Sequence, residues 1–169
     1  MATAVAQPPL PAASAQSYPS KPVRIIVPFP PGGYTDVTAR IIAQSLTERL
    51  GQPFIVDNRP GASTVIGTEA AARAQPDGYT LLYTGSSTFT VNPLLLRNLP
   101  YDPLKTFVSV GIVTRTPMVL LVNPSFPANS VKELVALARA SPGKYAYGSF
   151  GTGTSSHFAG EAFAAATGV

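Results

Sequence analysis

Four short stretches of the chain combine glycine with hydroxyl side chains, a composition suited to holding a small anion. They lie at residues 30–36, 59–64, 85–88 and 148–156. Glycine lets backbone approach a ligand closely, while hydroxyl and backbone N–H groups donate hydrogen bonds. A helix N-terminus adds unpaired N–H groups, so a carboxylate can be bound without lysine or arginine. The alternative for any single loop is that these residues only cap helices and form turns. Four such loops in one chain favour a binding site.

The sequence supports a catalytic, metal or nucleotide site less well than it supports an anion-binding site. His157 is the only histidine and has Glu161 four residues later, too few ligands for a metal site. No Gly-x-Ser-x-Gly elbow or Walker-type phosphate loop is present, and Gly151-Thr152-Gly153 lacks the third glycine of a dinucleotide fingerprint. Cysteine is absent, which excludes disulfides and thiolates. We therefore predict no catalytic residue, metal or cofactor, and keep a small α/β hydrolase using a loop serine as the alternative.

The overall composition is that of a folded chain. Of its 169 residues, 45% are hydrophobic and 12% charged, which places it far from the composition of disordered segments. The basic residues that give a net charge of +4 are scattered, so no nucleic-acid partner is expected. No apolar run approaches the roughly 18 residues that a membrane span requires. We expect a chain that is not itself embedded in a membrane.

Residues 1–17 stand apart from the rest because they are mostly small residues and prolines. Ala13-Ser14-Ala15 has the A-x-A form of a signal-peptidase site. No basic region and no apolar region precede it. A signal remnant and an unstructured leader are therefore both retained as interpretations of residues 1–17.

The elements that must position the loops alternate between strand and helix. The β-branched run Val23–Val27 is followed by prolines, glycines and a helical pattern that ends at Gly51. The unit repeats with a strand at 54–56 and a helix at 64–73, and a third strand is predicted at 79–84. This alternation predicts an α/β fold whose parallel-rich sheet is covered by helices on both faces. Its ligand loops would lie at the carboxyl edge of the sheet.

A proline-rich stretch at 92–102 predicts an irregular crossover between two lobes. Ser130 and Glu133 form a capping box that opens a later helix, and a final helix carries an apolar stripe that includes Phe158 and Phe163. Short strands are predicted at 107–113, 118–122 and 145–147. We predict lobe 1 at 18–102 and an incomplete lobe 2 at 103–169.

A series of short motifs resembles the Bug-type receptors of tripartite tricarboxylate transporters. The opening run from Tyr18 to Gly33 resembles the start of these receptors, and the resemblance extends to Val169. The further motifs fall in the order of the family: Leu50-Gly51-Gln52-Pro53, Asp57-Asn58-Arg59-Pro60-Gly61-Ala62, Pro76-Asp77-Gly78-Tyr79-Thr80-Leu81-Leu82, Asn92-Pro93, Leu99-Pro100-Tyr101-Asp102-Pro103 and Gly151-Thr152-Gly153-Thr154-Ser155-Ser156-His157.

The resemblance implies a periplasmic two-lobed binding protein of the type II architecture. Such a receptor closes on a small carboxylate and delivers it to the membrane subunits of the transporter, without catalysis, metal or cofactor. In the family, the Pro-Pro-Gly-Gly loop and the Gly-x-Gly-Thr loop face each other across the cleft. Carried over by position, the expected ligand contacts are Gly32, Gly33, Thr35, Asp36, Ser63, Ser87, Ser149, Gly151, Thr152, Thr154 and His157.

The chain departs from the family pattern in two loops. Tyr34 stands where a small residue or proline is usual, and Ser63-Thr64-Val65 replaces a more glycine-rich stretch that ends in asparagine. Family members run to nearly twice this length, so the resemblance implies that the second lobe is truncated. We expect the chain alone to be poorly soluble or dimeric and to bind weakly at best. A fragment that binds nothing is the alternative.

Overall fold

The computed structural model describes residues 18–169, so the predicted leader at 1–17 lies outside the described residues. The sheet has three strands, β1 at Val23–Val27, β2 at Phe54–Asn58 and β3 at Thr80–Leu82. The helices are α1 (Tyr34–Leu50), α2 (Val65–Ala72), α3 (Ser87–Thr90), α4 (Asn92–Leu95), α5 (Val131–Ala140) and α6 (Ser155–Thr167). The order β1, α1, β2, α2, β3 confirms the predicted α/β alternation.

The sheet is parallel, with β1 in the centre in the order β2-β1-β3. Val23 pairs with Phe54, and Arg24 pairs with Thr80. Because β1 has a strand on each side and a helix on each face, Val23, Ile26 and Val27 have no exposed surface. Parallel pairing also brings the loops that follow the strands to one edge of the sheet. That edge is where a binding site was predicted.

Helix α1 covers one face of the sheet through its smallest side chains. Ala39 and Ala43 are buried in a cluster with Val23, Ile25 and Val27, whereas Val37 and Ile41 of the same helix are 47% and 62% exposed. Alanine lets the helix axis approach the sheet closely, since it adds little bulk between the two layers. Val37 and Ile41 therefore lie mostly in solvent, whereas Leu46 of the same helix packs against the cluster.

Helix α2 lies against the other face. Ile26 alternates with the residues that face α1, and α2 contacts both β1 and β3. At Gly67 the helix comes so close to the loop after β1 that an added Cβ would lie 2.7 Å from Pro28 Cβ and from Arg59 O. Only a glycine fits there. The helices thus occupy both faces of the sheet, as predicted.

The strands predicted at 107–113, 118–122 and 145–147 are wrong. The backbone in these stretches joins no ladder, and β1–β3 are the strands found within residues 18–169. Side chains there stand in solvent, with Val108 92% and Leu121 81% exposed. A strand depends on hydrogen bonds to a neighbouring strand, and no other segment of the described chain supplies them. A β-branched run alone does not make a strand.

The predicted helix starts after the crossover are confirmed by their caps. Ser130 Oγ accepts a hydrogen bond from Glu133 N at 3.2 Å, and Glu133 Oε2 accepts one from Asn129 N at 2.7 Å, which is a capping box shifted by one residue. Neither α5 nor α6 has a buried residue. Residues 92–102 are less irregular than predicted, because α4 begins at Asn92. No helix within residues 18–169 is long and apolar enough to cross a membrane.

Candidate ligand-binding cleft

Three loops surround a cleft of about 180 Å³ next to the carboxyl ends of β1 and β2. They are the loop after β1, the loop after β2 and the loop before α6, which are three of the four stretches singled out in the sequence. The cleft is lined by Pro28, Phe29, Pro30, Pro60, Gly61, Ser63, Thr64, Phe150, Gly151, Thr152 and Thr154. No charged side chain is among these residues, so hydroxyl groups, backbone groups and apolar surface form its walls.

Asp36 is a buried side chain that stabilises the loop after β1 through hydrogen bonds. The side chain is almost completely buried, at 2% residue exposure. Asp36 Oδ2 accepts hydrogen bonds from Gly32 N at 2.8 Å and Arg40 Nε at 3.0 Å, and Oδ1 accepts one from Asn58 Nδ2 at 2.9 Å. An ion pair of 2.9 Å joins Oδ1 to the second guanidinium nitrogen of Arg40. Asp36 thereby ties the loop to α1 and to the end of β2.

These contacts explain the acidity of Asp36. The hydrogen bond from Arg40 and the backbone bond from Gly32 lower the pKa of the carboxyl group to about 2, and Asn58 adds to the effect. All of these donors stabilise the charged form. Arg40 neutralises the Asp36 carboxylate, so this charge does not cancel the positive end of the α1 helix dipole, which can still attract an anion. The N–H groups of Tyr34, Thr35 and Asp36 begin this helix and have no acceptor within it.

The loop after β2 has an unusual backbone. Ala62, Ser63 and Thr64 have φ angles of 45°, 54° and 77°, so three consecutive residues with a Cβ are left-handed. This conformation is disfavoured for L-residues, and the surrounding structure must hold it. The glycine-rich stretch expected from the family pattern would adopt it without strain. The substitution noted in the sequence therefore falls on the most strained segment of the cleft.

A network of buried hydroxyl groups supports that loop. Thr64 Oγ1 lies 3.0 Å from Thr88 Oγ1, which in turn lies 2.7 Å from Thr84 Oγ1. Tyr101 donates to Thr88 O at 3.0 Å, and Asn92 Nδ2 donates to Ser63 O at 2.7 Å. The chain after β3 thus fixes the wall formed by the chain after β2. Of these support residues only Ser63 was an expected ligand contact, while Thr64 and Thr88 lie in loops that the sequence singled out and Thr84, Asn92 and Tyr101 lie outside them.

The loop before α6 is organised by hydroxyl groups. Thr154 caps α6 by accepting a hydrogen bond from His157 N at 3.5 Å, and it donates to Gly151 O at 2.6 Å. Ser156 Oγ accepts a hydrogen bond from Phe150 N at 3.0 Å. The left-handed φ of 113° at Gly151 is accessible to glycine alone. The hydroxyl groups in this loop therefore shape the backbone.

His157, in the first turn of α6, is hydrogen-bonded to the backbone of the loop before that helix. Its Nδ1 accepts a hydrogen bond from Gly153 N at 3.4 Å, and its Nε2 lies 3.9 Å from Glu161 Oε1. No serine hydroxyl is hydrogen-bonded to the ring within residues 18–169, and no cluster of three potential metal ligands occurs there. The geometry gives the hydrolase interpretation no catalytic pair.

The predicted site residues divide into two groups. Those that line the cleft are Ser63, Gly151, Thr152 and Thr154. Those that are not among its lining residues are Gly32, Gly33, Thr35, Asp36, Ser87, Ser149 and His157. Ser87 is 5% exposed and belongs to α3. The apolar lining residues Pro28, Phe29, Pro30 and Pro60 were not among the expected ligand contacts, because hydrogen-bond donors alone mark an anion site in the sequence.

The parallel α/β sheet with a glycine- and hydroxyl-lined cleft at its carboxyl edge has the fold of the periplasmic binding proteins among the solved structures that it resembles. The particular family follows from sequence comparison. A profile described as "Tripartite tricarboxylate transporter family receptor" matches residues 38–169. The chain belongs to this family of receptors.

Two relatives from Bordetella pertussis are similar over most of the chain. A protein of the UPF0065 group is 46% identical over 145 residues, which cover 86% of this chain and 45% of the relative. Protein BugT is 44% identical over 157 residues, which cover 92% of this chain and 48% of the relative. The chain spans about half the length of the curated relatives it matches.

Solved structures agree in fold. The chain is similar to R. palustris Rpa4515 with adipate, with a TM-score of 0.86 and 38% identity over 90% of this chain and 51% of that one. It is similar to the periplasmic binding protein BugD, with a TM-score of 0.81 and 38% identity over 90% and 50% of the two chains. MatC from Rhodopseudomonas palustris with bound malate gives a TM-score of 0.68 and 33% identity, over 73% and 42%.

Proposed function

We propose that this chain forms the carboxylate-capturing part of an extracytoplasmic solute receptor. The observation that carries the proposal is the convergence of three glycine- and hydroxyl-rich loops on one cleft that lacks charged side chains. Such a cleft suits a small anion that is bound by N–H and hydroxyl donors.

The proposed roles of the predicted site residues follow their positions. Gly151, Thr152, Thr154 and the backbone of Ser63 line the cleft and are assigned to direct contact with the ligand, whereas the Ser63 hydroxyl donates to Thr152 O. The remaining candidates are assigned to the shell around it. In that shell, Asp36 orients the backbone of Gly32, and the N–H groups at the start of α1, including that of Thr35, attract the anion.

The receptor role is supported by the ligands of related structures. Two of these structures hold dicarboxylates, adipate in one and malate in the other. We propose a ligand of the same chemical class for this chain, captured outside the cytoplasm and delivered to the membrane subunits of a tripartite transporter. The periplasm is the proposed location, since BugD is a periplasmic binding protein. The two lobes proposed for this receptor are residues 18–102 and 103–169.

A thermal-unfolding screen tests the proposal directly. The 169-residue chain is heated with mono-, di- and tricarboxylates, at ionic strength matched with chloride. A ligand at 100 times its dissociation constant adds about 2.7 kcal/mol, which raises the unfolding temperature by roughly 5 to 10 °C for a chain of this size. The matched control is the diamide of each active dicarboxylate, which has the same length without the charge. No shift with any acid would contradict the proposal.

A pair of variants tests whether the start of α1 attracts the ligand. Tyr34→Ala and Tyr34→Pro both remove the exposed aromatic ring, and only the second removes the backbone N–H. Proline is tolerated at this first helical position, and the extended Gly33 before it is compatible with proline. We expect Tyr34→Pro to bind the active acid about threefold to tenfold more weakly than Tyr34→Ala. Equal affinities would remove α1 from the proposed site.

A further inference from the structure

Asn92 is a buried residue next to two walls of the cleft, the loop after β2 and the loop before α6. The residue is 1% exposed, and its Nδ2 donates to Ser63 O at 2.7 Å and to Thr64 Oγ1 at 3.2 Å. Its Oδ1 is buried without a hydrogen-bond partner, a situation found for no other buried side-chain nitrogen or oxygen within residues 18–169. A Cβ added at Gly153, in the opposite wall, would lie 3.1 Å from this oxygen. One side chain therefore contacts one loop and closely approaches the other.

The two donor bonds of Asn92 act on the strained part of the loop after β2. Ala62, Ser63 and Thr64 are left-handed in succession, and such a conformation persists only where the surroundings hold it. Asn92 holds the carbonyl of the middle residue and the hydroxyl of the last. The orientation of the Asn92 side-chain amide follows from its chemistry. Exchanging its nitrogen and oxygen would place Asn92 Oδ1 2.7 Å from Ser63 O, and two acceptors cannot form a hydrogen bond.

Ser63 connects this loop to the one before α6. Ser63 Oγ donates to Thr152 O at 2.5 Å, a contact between residues 89 positions apart. The left-handed backbone of Ser63 is what places the hydroxyl there. Both Ser63 and Thr152 line the cleft, so this bond joins its two walls directly.

We propose that Asn92 and Ser63 are positioning residues that couple the two walls of the cleft. Asn92 stabilises the left-handed turn at 62–64 through its two hydrogen bonds. The turn positions the Ser63 hydroxyl, whose hydrogen bond to Thr152 O then holds the loop at 148–156. The role in ligand binding rests on the proposed receptor function, whereas the coupling of the loops is a property of the ligand-free chain. The two parts are tested by different measurements.

Hydrogen exchange measures the coupling without any ligand. In Ser63→Ala the hydroxyl is lost and the backbone strain stays, so the amides of 148–156 should exchange about fivefold faster. The matched control is Ser109→Ala, which removes a hydroxyl at an exposed position and should leave that loop unchanged. Equal exchange in Ser63→Ala and in the unmodified chain would overturn the coupling.

Ser63→Gly separates positioning from general stability. Glycine relieves the left-handed strain, so the unfolding temperature should stay equal or rise, while the bond to Thr152 is lost. We expect adipate to bind this variant about fivefold more weakly, although the fold is no less stable. A purely structural role for Ser63 would move stability and affinity in the same direction, and an unchanged affinity would overturn the positioning role.

Asn92→Ala removes both donors at once and should accelerate exchange at 62–64 as well as at 148–156. Asn98→Ala is the control, because Asn98 is exposed on the same stretch of chain. If Asn92→Ala affects only one of the two loops, Asn92 does not couple them. If the unmodified chain binds no carboxylate, the proposed function fails together with the binding role, and the exchange data alone decide the coupling.

Discussion

Asp36 accepts hydrogen bonds from the loop after β1, from α1 and from the end of β2, which makes this corner of the fold depend on one negative charge. Its pKa of about 2 lies below the 3.8 of an unstructured aspartate, so the folded state binds the proton more weakly than the unfolded state. The stabilisation is therefore fully present above about pH 4 and is lost as the pH falls through about 2.

The corresponding variant is Asp36→Asn, which keeps the shape of the side chain and removes the charge. We expect it to be less stable than the unmodified chain at pH 7, with a difference that shrinks as the pH is lowered from about 4 towards about 2. Unfolding temperatures measured across this range check the expectation. Glu48→Gln is the control, since it removes an exposed carboxylate from the same helix. A pH-independent difference would show that the charge of Asp36 is not the cause.

At the scale of elements, the distance between α2 and the sheet is set by Gly67. A Cβ at this position would lie 2.7 Å from both Pro28 Cβ and Arg59 O, closer than atoms can approach without displacement. We expect Gly67→Ala to lower the free energy of unfolding by about 1 to 3 kcal/mol, because overpacking outweighs the better helix propensity of alanine. Denaturant unfolding measures the change.

The control for that substitution is Gly111→Ala, where an added Cβ meets no atom within 4 Å and the backbone is not left-handed. It should change stability by less than about 0.5 kcal/mol. Since Pro28 lines the cleft, Gly67→Ala should also weaken carboxylate binding. A Gly67→Ala chain as stable as the control would mean that α2 moves aside without cost.

For the whole molecule, the stretch at 107–122 leaves large apolar side chains in solvent. Val108, Val110 and Leu121 are 92%, 90% and 81% exposed. Exposed apolar side chains gathered in one stretch of chain promote association. We expect the chain to associate as its concentration rises, in line with the sequence-based expectation of a poorly soluble or dimeric chain.

Sedimentation velocity or light scattering over a concentration series checks this expectation. Val110→Lys should reduce association, because a charge in the stretch disfavours its burial between copies. Asn98→Lys adds the same charge at an exposed position outside the stretch and should have a smaller effect. A monomeric, cooperatively unfolding chain at all concentrations would contradict the prediction.

Features that depend on neighbours in the chain were predictable from the sequence alone. The strand Val23–Val27, the end of α1 at Gly51 and the cap at Ser130 all appear where predicted. Gly51 is left-handed with a φ of 71°, as a helix C-cap requires. These features are local, since a cap or a β-branched run acts within a few residues. The motifs that indicated the receptor family are equally local.

Only the tertiary structure decided which residues meet across long separations. It placed Ser63 against Thr152, put Asn92 beneath both loops, and left 107–113 unpaired although its composition favours a strand. Strand pairing, close helix–sheet contacts and hydrogen bonds across the cleft join segments that are far apart in the chain. The type of a residue does not indicate which distant residue it will contact. The sequence alone therefore determined local features such as the first strand, the helix caps and the family motifs, whereas the tertiary structure determined which predicted strands form and how the cleft is arranged.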